Sequence, residues 1–211
     1  MTNSFFEVLR PGINSTFQDM GRKNYYHIGL PFSGAMDQRN FLISNRLVNN
    51  PDNEAVIEFA YQGPLLKVNS RKIIFAVTGD VNFKIIKANG TSLEGECYKT
   101  YSLENNDQLD IISTNKSVYG YLAINGGFKL EKFLNSYSTS TRAEVGANNG
   151  NKINVDQKIY LNEIEKETFN RKLEYINSKI EFIRIIKGTN FDYFSKDSIN
   201  EFLNKEFLVT K

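Results

Sequence analysis

Short apolar runs rich in β-branched residues recur between turn signals along the first 160 residues. Arg71 to Thr78 (R-K-I-I-F-A-V-T) ends at Gly79-Asp80 and predicts a buried strand followed by a turn. Phe83 to Lys87 predicts its neighbour, with Asn89-Gly90 supplying a hairpin-type turn. Leu109 to Ser113 and Val118 to Asn125 repeat the pattern, and Gly126-Gly127 closes the second of them. Strands this short and closely spaced, with few helices between them, point to a mainly β fold, an antiparallel sandwich or a closed barrel.

Two segments break the strand pattern. Asp37 to Val48 predicts a helix, opened by a residue suited to N-capping and stopped at Asn49-Asn50-Pro51. Glu163 to Lys179 is strongly charged, with Ile164, Phe169, Leu173 and Ile176 near helical spacing, and predicts a connecting helix. The chain then reads as a first domain over 1–162, a connecting segment over 163–180 and the start of a second domain over 181–211. In that last piece Glu181 to Lys187 predicts a strand and Phe191 to Leu203 contains a helix capped by Ser195, with an extended piece from Lys205. A strand, a helix and part of a strand cannot bury a core of their own.

Composition narrows the class. With 40% apolar and 13% aromatic residues the 211-residue chain can fill a core. Lys plus Arg at 26 against Asp plus Glu at 24 leaves +2, which gives no reason to expect a nucleic-acid or anionic-membrane partner. Cys97 is the single cysteine and His27 the single histidine, so an internal disulfide and a Cys/His zinc site are both excluded. The N-terminus lacks a basic region and a long apolar stretch, and the longest apolar runs, such as Ile73 to Val77, are strand-sized. A cytoplasmic location fits this reading.

Candidate chemistry gathers in a few places. Gln18, Asp19 and Arg22 place an amide, a carboxylate and a guanidinium in one loop; they suit a planar amide or carboxylate ligand, or form an Asp19–Arg22 pair that braces the loop. Gly34-Ala35-Met36-Asp37 leads into the first helix, whose N-terminus attracts anions, while Asp37 itself suits the cap, worth about 1 kcal/mol. Asn45 shares the helical face of Asp37, and Arg46 points elsewhere. Glu58, flanked by Ile57 and Phe59, has the surroundings of a general base, yet strand alternation directs it outward into water. Ser136, Ser138, Thr139 and Arg142 suit phosphate or carboxylate, or cap a helix following Lys129 to Leu134. His27, Ser33 and Asp19 make no hydrolytic triad, because no G-x-S-x-G elbow is present. Cys97 has no basic neighbour in sequence and reads as inert.

Several of these segments occur in a specific order: T-F-Q-D-M-G-R (Thr16 to Arg22), G-L-P-F-S-G-A-M-D (Gly29 to Asp37), S-N-R-L-V-N-N-P (Ser44 to Pro51), E-F-A-Y-Q-G-P (Glu58 to Pro64), Y-L-A-I-N-G-G (Tyr121 to Gly127) and S-Y-S-T-S-T-R-A (Ser136 to Ala143). Together they resemble the family containing the C-subunit of 5-oxoprolinase and the KipA protein, itself related to the carboxyltransferase region of urea carboxylase. The resemblance covers residues 5 to 160, with a weaker continuation from Phe182 to Gly188. There are departures: Ser44 stands where the family has Ala, Asn49 where it has Gly, and the Asn135 to Thr139 stretch lacks the family's arginine.

The resemblance implies a cyclophilin-like closed β-barrel, followed by a second related barrel of which 181–211 is an incomplete start. It implies a KipI-type partner and a further, ring-opening partner. The complex would use ATP to convert 5-oxoproline to glutamate. In that setting Asp19 and Asp37 are the catalytic carboxylates. Arg22 clamps the substrate carboxylate, and Gln18 with Asp19 reads the lactam N–H and C=O. Asn45, Ser138 and Arg142 complete the substrate pocket. No G-x-x-x-x-G-K-[ST] loop is present, so ATP would bind through a different geometry or mainly on the KipI-type partner. Two alternatives share the resemblance. One is a biotin-dependent carboxyltransferase acting on urea or a similar amide, with biotin carried elsewhere because no lysine here has a carrier context. The other is a non-catalytic KipA-like antagonist of a KipI-type kinase inhibitor.

Overall fold

A computed structural model of the chain describes residues 4–70, 72–162, 169–174 and 183–208. It divides into two units, Met1–Tyr175 and Ile176–Lys211.

The first unit is mainly β with few helices. One sheet has six strands in the order β11-β1-β4-β9-β6-β7, namely Lys158–Tyr160, Phe5–Arg10, Leu65–Asn69, Gln108–Thr114, Val81–Ile86 and Ser92–Glu94. The other has five in the order β2-β3-β10-β5-β8, namely Thr16–Gln18, Val56–Ala60, Tyr119–Ile124, Lys72–Thr78 and Thr100–Glu104. All the pairings in both sheets are antiparallel. Among the described residues the ladders form these two sheets rather than one continuous ring.

Alternation sets the core between them. Phe6, Val8, Leu66, Val68, Leu109, Ile111, Phe83 and Ile85 point inward from the six-stranded sheet. Phe17, Ile57, Phe59, Phe75, Val77, Leu122 and Ile124 answer from the other. Rings cross the gap: Phe75 meets Phe83 edge-on at 6.2 Å between centroids. The five-stranded sheet is also covered on its outer face. There the helix α1, Gln38–Leu47, lays Phe41 and Leu47 against Val56, Ala76, Tyr121 and Ala123. This double burial explains why β3 and β5 read as nearly unbroken apolar runs, while β1 and β6 alternate.

The helix expected from Asp37 to Val48 forms as α1, with Asp37 as its N-cap. The connecting helix expected over Glu163 to Lys179 does not form across residues 169–174; 163–168 and 175–179 lie outside the described residues. Backbone pairing overrides helical spacing in this stretch. Thr100 N–H donates to Arg171 O, and Leu173 N–H to Tyr98 O, both at 2.9 Å. Lys129 to Leu134 forms no helix either: Phe133 and Ser136 exchange backbone hydrogen bonds around the left-handed residues Leu134 and Asn135.

In the second unit, Lys196–Asn204 forms the helix α2, whose N-cap Ser195 accepts from Ser198 N–H, as the sequence predicts. Residues 183–187 have no strand pairing among the described residues, and Ile186 is 96% exposed. Residues 181 and 182 of the expected strand lie outside the described residues.

Candidate functional site

The loop after β2 is organised around Asp19, which is fully buried. Its Oδ1 accepts from Gly21 N–H at 2.8 Å, from the Ser136 hydroxyl at 2.7 Å and from the Ser138 hydroxyl at 2.5 Å. Its Oδ2 accepts from Tyr137 N–H at 2.7 Å. Ser138 Oγ in turn accepts from the Asp19 backbone N–H. The carboxylate therefore fastens the segment 136–138 to the loop 19–22, two stretches far apart in sequence. Gly146 makes room for this seam. Its φ is +105°, and a Cβ there would collide with Ser138 O.

Arg22 is buried against the same seam. Its Nη2 donates to Ser138 O and its Nη1 to Ser33 Oγ at 3.0 Å, and the guanidinium lies over the Phe133 ring at 5.8 Å. Burial pulls the guanidinium pKa down, and the charge of Asp19 opposes that shift. Gln18 Nε2 donates to Thr16 Oγ1 at 2.9 Å and to Thr139 O at 3.0 Å. Among the described residues, two buried atoms of this cluster have no partner: Gln18 Oε1 and Arg22 Nε.

The segment before α1 is joined to the cluster. Ala35 N–H donates to Asp19 O at 2.9 Å. Gly34, with φ +92°, passes so close to Gly21 N that a Cβ would lie 2.9 Å from it. Asp37 Oδ1 caps α1 by accepting from Asn40 N–H, while Oδ2 accepts from Asn40 Nδ2 at 2.7 Å. Asn40 is held from behind, its Oδ1 accepting from the Tyr98 hydroxyl and its carbonyl from Thr78 Oγ1.

A second buried carboxylate supports this turn. Thr16, Glu58, Tyr121 and Thr78 stand opposite one another across four strands of the five-stranded sheet. Glu58 Oε2 accepts from Met36 N–H at 2.7 Å and from the Tyr121 hydroxyl at 2.8 Å. The Tyr121 oxygen accepts from Asp37 N–H at 2.7 Å. Desolvation raises the Glu58 carboxyl pKa, the bonds from Met36 and Tyr121 lower it, and nearby Asp37 raises it further. Desolvation and the Glu58 charge also push the Tyr121 phenol upward.

The structure thus brings Gln18, Asp19, Arg22, Ser138 and the approach to Asp37 into one hydrogen-bonded assembly. It does not bring the remaining candidates there. Asn45 is buried, but its Nδ2 donates to Glu54 O and its Oδ1 accepts from Asn50, so it ties α1 to the following loop. Arg142 sits exposed in the turn 141–144. Arg46 pairs with Asp52 on the surface. Glu58 corrects the expectation that it faces water: it does point away from the inter-sheet core, but the Met36–Asp37 turn covers that face, leaving it 7% exposed. Cys97 is half-buried, its thiol donates to Val81 O, and burial pushes the thiol pKa up to about 11. A groove of about 540 Å³ is bordered by Phe17, Lys132, Phe133, Gly146 and Ala147 among others. Its walls touch the Arg22–Ser138 seam, but Gln18, Asp19 and Arg22 do not line it.

Tyr121, Asn40 and Phe133 carry no local mark that singles them out in the sequence. The position of Tyr121 at the head of Y-L-A-I-N-G-G, in the motif order that carries the resemblance, is the one available signal.

Comparison with known proteins agrees with the motif order. The chain is 29% identical over 222 aligned residues to urea amidolyase of Saccharomyces cerevisiae, spanning 96% of this chain and 12% of that protein. It is 30% identical over 144 residues to the C-subunit of 5-oxoprolinase from Haemophilus influenzae, spanning 68% of this chain and 45% of that protein. The crystal structure of Kluyveromyces lactis urea carboxylase superposes with a TM-score of 0.71 at 30% identity, over 77% of this chain and 14% of that one. The chain therefore spans less than half the length of each of these relatives. No helix among the described residues is long and apolar enough to cross a membrane. The model of the carboxyltransferase domain, subdomain A and B, matches residues 28–211, and the chain belongs to that family.

Proposed function

We propose that the chain is the amide-recognising part of an ATP-dependent 5-oxoprolinase. It acts with a KipI-type partner and a ring-opening partner, and its two sheets are the walls of the cyclophilin-like barrel that the resemblance implies. The observation that carries this reading is the pair of buried, unpartnered atoms in the Asp19 cluster, the acceptor Gln18 Oε1 and the donor Arg22 Nε. An amide in a ring offers one N–H and one C=O, which is the complement of one acceptor and one donor. Leaving such atoms unsatisfied costs about 1–3 kcal/mol each, which a bound amide would recover.

In this reading Gln18 takes the lactam N–H, and Arg22 takes the lactam oxygen in place of the substrate carboxylate expected from the sequence. Asp19 fixes Arg22 by holding Ser138, while Thr16 and Thr139 fix Gln18. Asp37 supplies the base. A carboxylate oxygen accepts more than one hydrogen bond, so Oδ2 has capacity beyond Asn40 Nδ2. The lactam oxygen takes the γ-phosphoryl group of ATP, and ADP leaves. Water, losing a proton to Asp37, adds to the ring carbon; the C–N bond breaks with its electron pair and a proton passing to nitrogen. A second water releases phosphate, giving glutamate. ATP is held mainly by the KipI-type partner.

A second reading is carboxyl transfer to urea, favoured by the urea amidolyase match across 96% of this chain. The same acceptor and donor would hold urea, with biotin carried on another domain. Reconstitution with the KipI-type and ring-opening partners separates the two. Glutamate formation that requires both ATP and 5-oxoproline, and that falls at least tenfold in Arg22→Lys, supports the first. Carboxylation of urea from carboxybiotin, with no glutamate formed, overturns it in favour of the second.

A further inference from the structure

Glu58 is a costly residue to keep where it is. It stands on an inner strand of a sheet covered on both faces, beside the apolar layer in which α1 packs Phe41 against Val56 and Ala76. A leucine there would be less expensive, since replacing buried charge by apolar volume is often neutral or stabilising. The two donors that reach its Oε2 come from separate parts of the chain, Met36 N–H and the Tyr121 hydroxyl. Tyr121 relays the contact one step further by accepting from Asp37 N–H. Two consecutive backbone N–H groups, at 36 and 37, therefore end on one carboxylate–phenol pair. Both precede the first helical residue, where no intrahelical carbonyl is available to them.

We propose that Glu58 and Tyr121 are positioning residues that set the Met36–Asp37 turn, and with it the Asp37 carboxylate, for the proposed reaction. The Glu58 side chain is retained for this orientation and not for stability. The charged and titratable groups facing Glu58 among the described residues are Tyr121 and Asp37; Thr16, its partner on the adjoining strand, is neutral. The inference rests on the reading of Asp37 as the base, but its structural half can be tested without activity.

The test compares Glu58→Gln and Tyr121→Phe with the unchanged chain in three measurements: amide hydrogen exchange at Met36 and Asp37, the thermal midpoint at pH 5 and pH 8, and kcat and KM for glutamate formation in the reconstituted complex. Tyr121→Phe removes the acceptor for Asp37 N–H, and exchange there is expected to rise about tenfold, the equivalent of one hydrogen bond. Glu58→Gln keeps an acceptor but removes its charge, so Met36 exchange rises by a smaller factor, since charge-assisted bonds are about twice as strong as neutral ones. The midpoint of Glu58→Gln at pH 8 equals or exceeds that of the unchanged chain. In both variants kcat falls and KM stays within about twofold, as expected when a group acts on the bound substrate. Unaltered exchange at 36 and 37, or a pH 8 midpoint of Glu58→Gln that drops along with exchange across the whole unit, overturns the proposal and makes the pair a plain core contact. If the unchanged chain forms no glutamate, the 5-oxoprolinase reading fails by itself, while exchange and midpoint still decide the positioning role.

Discussion

Two residues with buried carboxylates bond to the segment 33–37, Asp19 through its carbonyl and Glu58 through its side chain, and the protein treats those carboxylates differently. Asp19 has donors on both oxygens, two hydroxyls and two backbone N–H groups, all from its own loop and the segment 136–138. Glu58 has two donors on a single oxygen, and desolvation outweighs them, raising its pKa. The number of donors decides whether a buried carboxylate is a structural anchor or a strained one. Asp19 joins two distant chain segments and is fully compensated. Glu58 is under-compensated and holds a turn next to the candidate base.

The largest test of that contrast is Asp19→Ala. It strands the hydroxyls of Ser136 and Ser138 and the N–H groups of Gly21 and Tyr137, and should destabilise the first unit by about 3 kcal/mol or more. Urea unfolding measures it; a loss below about 1 kcal/mol would mean the seam is held by packing instead. Arg22→Met comes next. Methionine keeps the contact with Phe133 but leaves Ser138 O and Ser33 Oγ without the guanidinium, an expected loss of about 1–2 kcal/mol by the same measurement.

Glu58→Gln sharpens the contrast through pH. Because the folded pKa of Glu58 lies above its unfolded value, its ionisation favours unfolding. The stability it contributes is complete below the unfolded value, about 4.3, and is lost as pH rises through the raised folded value. Glutamine does not titrate, so the variant should gain on the unchanged chain as pH climbs from about 4.3 and level off above the folded value. Paired thermal melts from about pH 4 to about pH 8 record the difference; a gap that shrinks with rising pH would reverse the assignment. The smallest effect belongs to Arg46→Ala. Arg46 and Asp52 pair at 2.8 Å but are open to solvent. Removing the pair should leave the thermal midpoint where it was, as screened surface pairs do.

How much of this was legible differs from element to element. Strands β5, β6, β9 and β10 and the helix α1 with its Asp37 cap followed from local pattern, because alternation and capping are properties of neighbouring residues. The burial of Glu58 was not. A period of two says that Glu58 lies opposite Phe59 and Ile57, but not whether the opposite face is wet. Only the return of residues 33–47 over that face makes it dry. In the same way Phe169 and Leu173 fit a helical stripe, yet the pairing of Arg171 and Leu173 with Tyr98 and Thr100 holds that stretch extended.

By itself, then, the sequence determined the local elements, the mainly β class and the motif order that identifies the family, since each depends on residue type and short spacing. The tertiary structure decided which polar residues meet. Asp19 finds Ser136 and Ser138, and Glu58 finds Met36 and Tyr121, across separations that no local pattern encodes. Hydrogen bonds of this kind are fixed by where the sheets bring the backbone, and whether a carboxylate is compensated depends on the number of donors that arrive there.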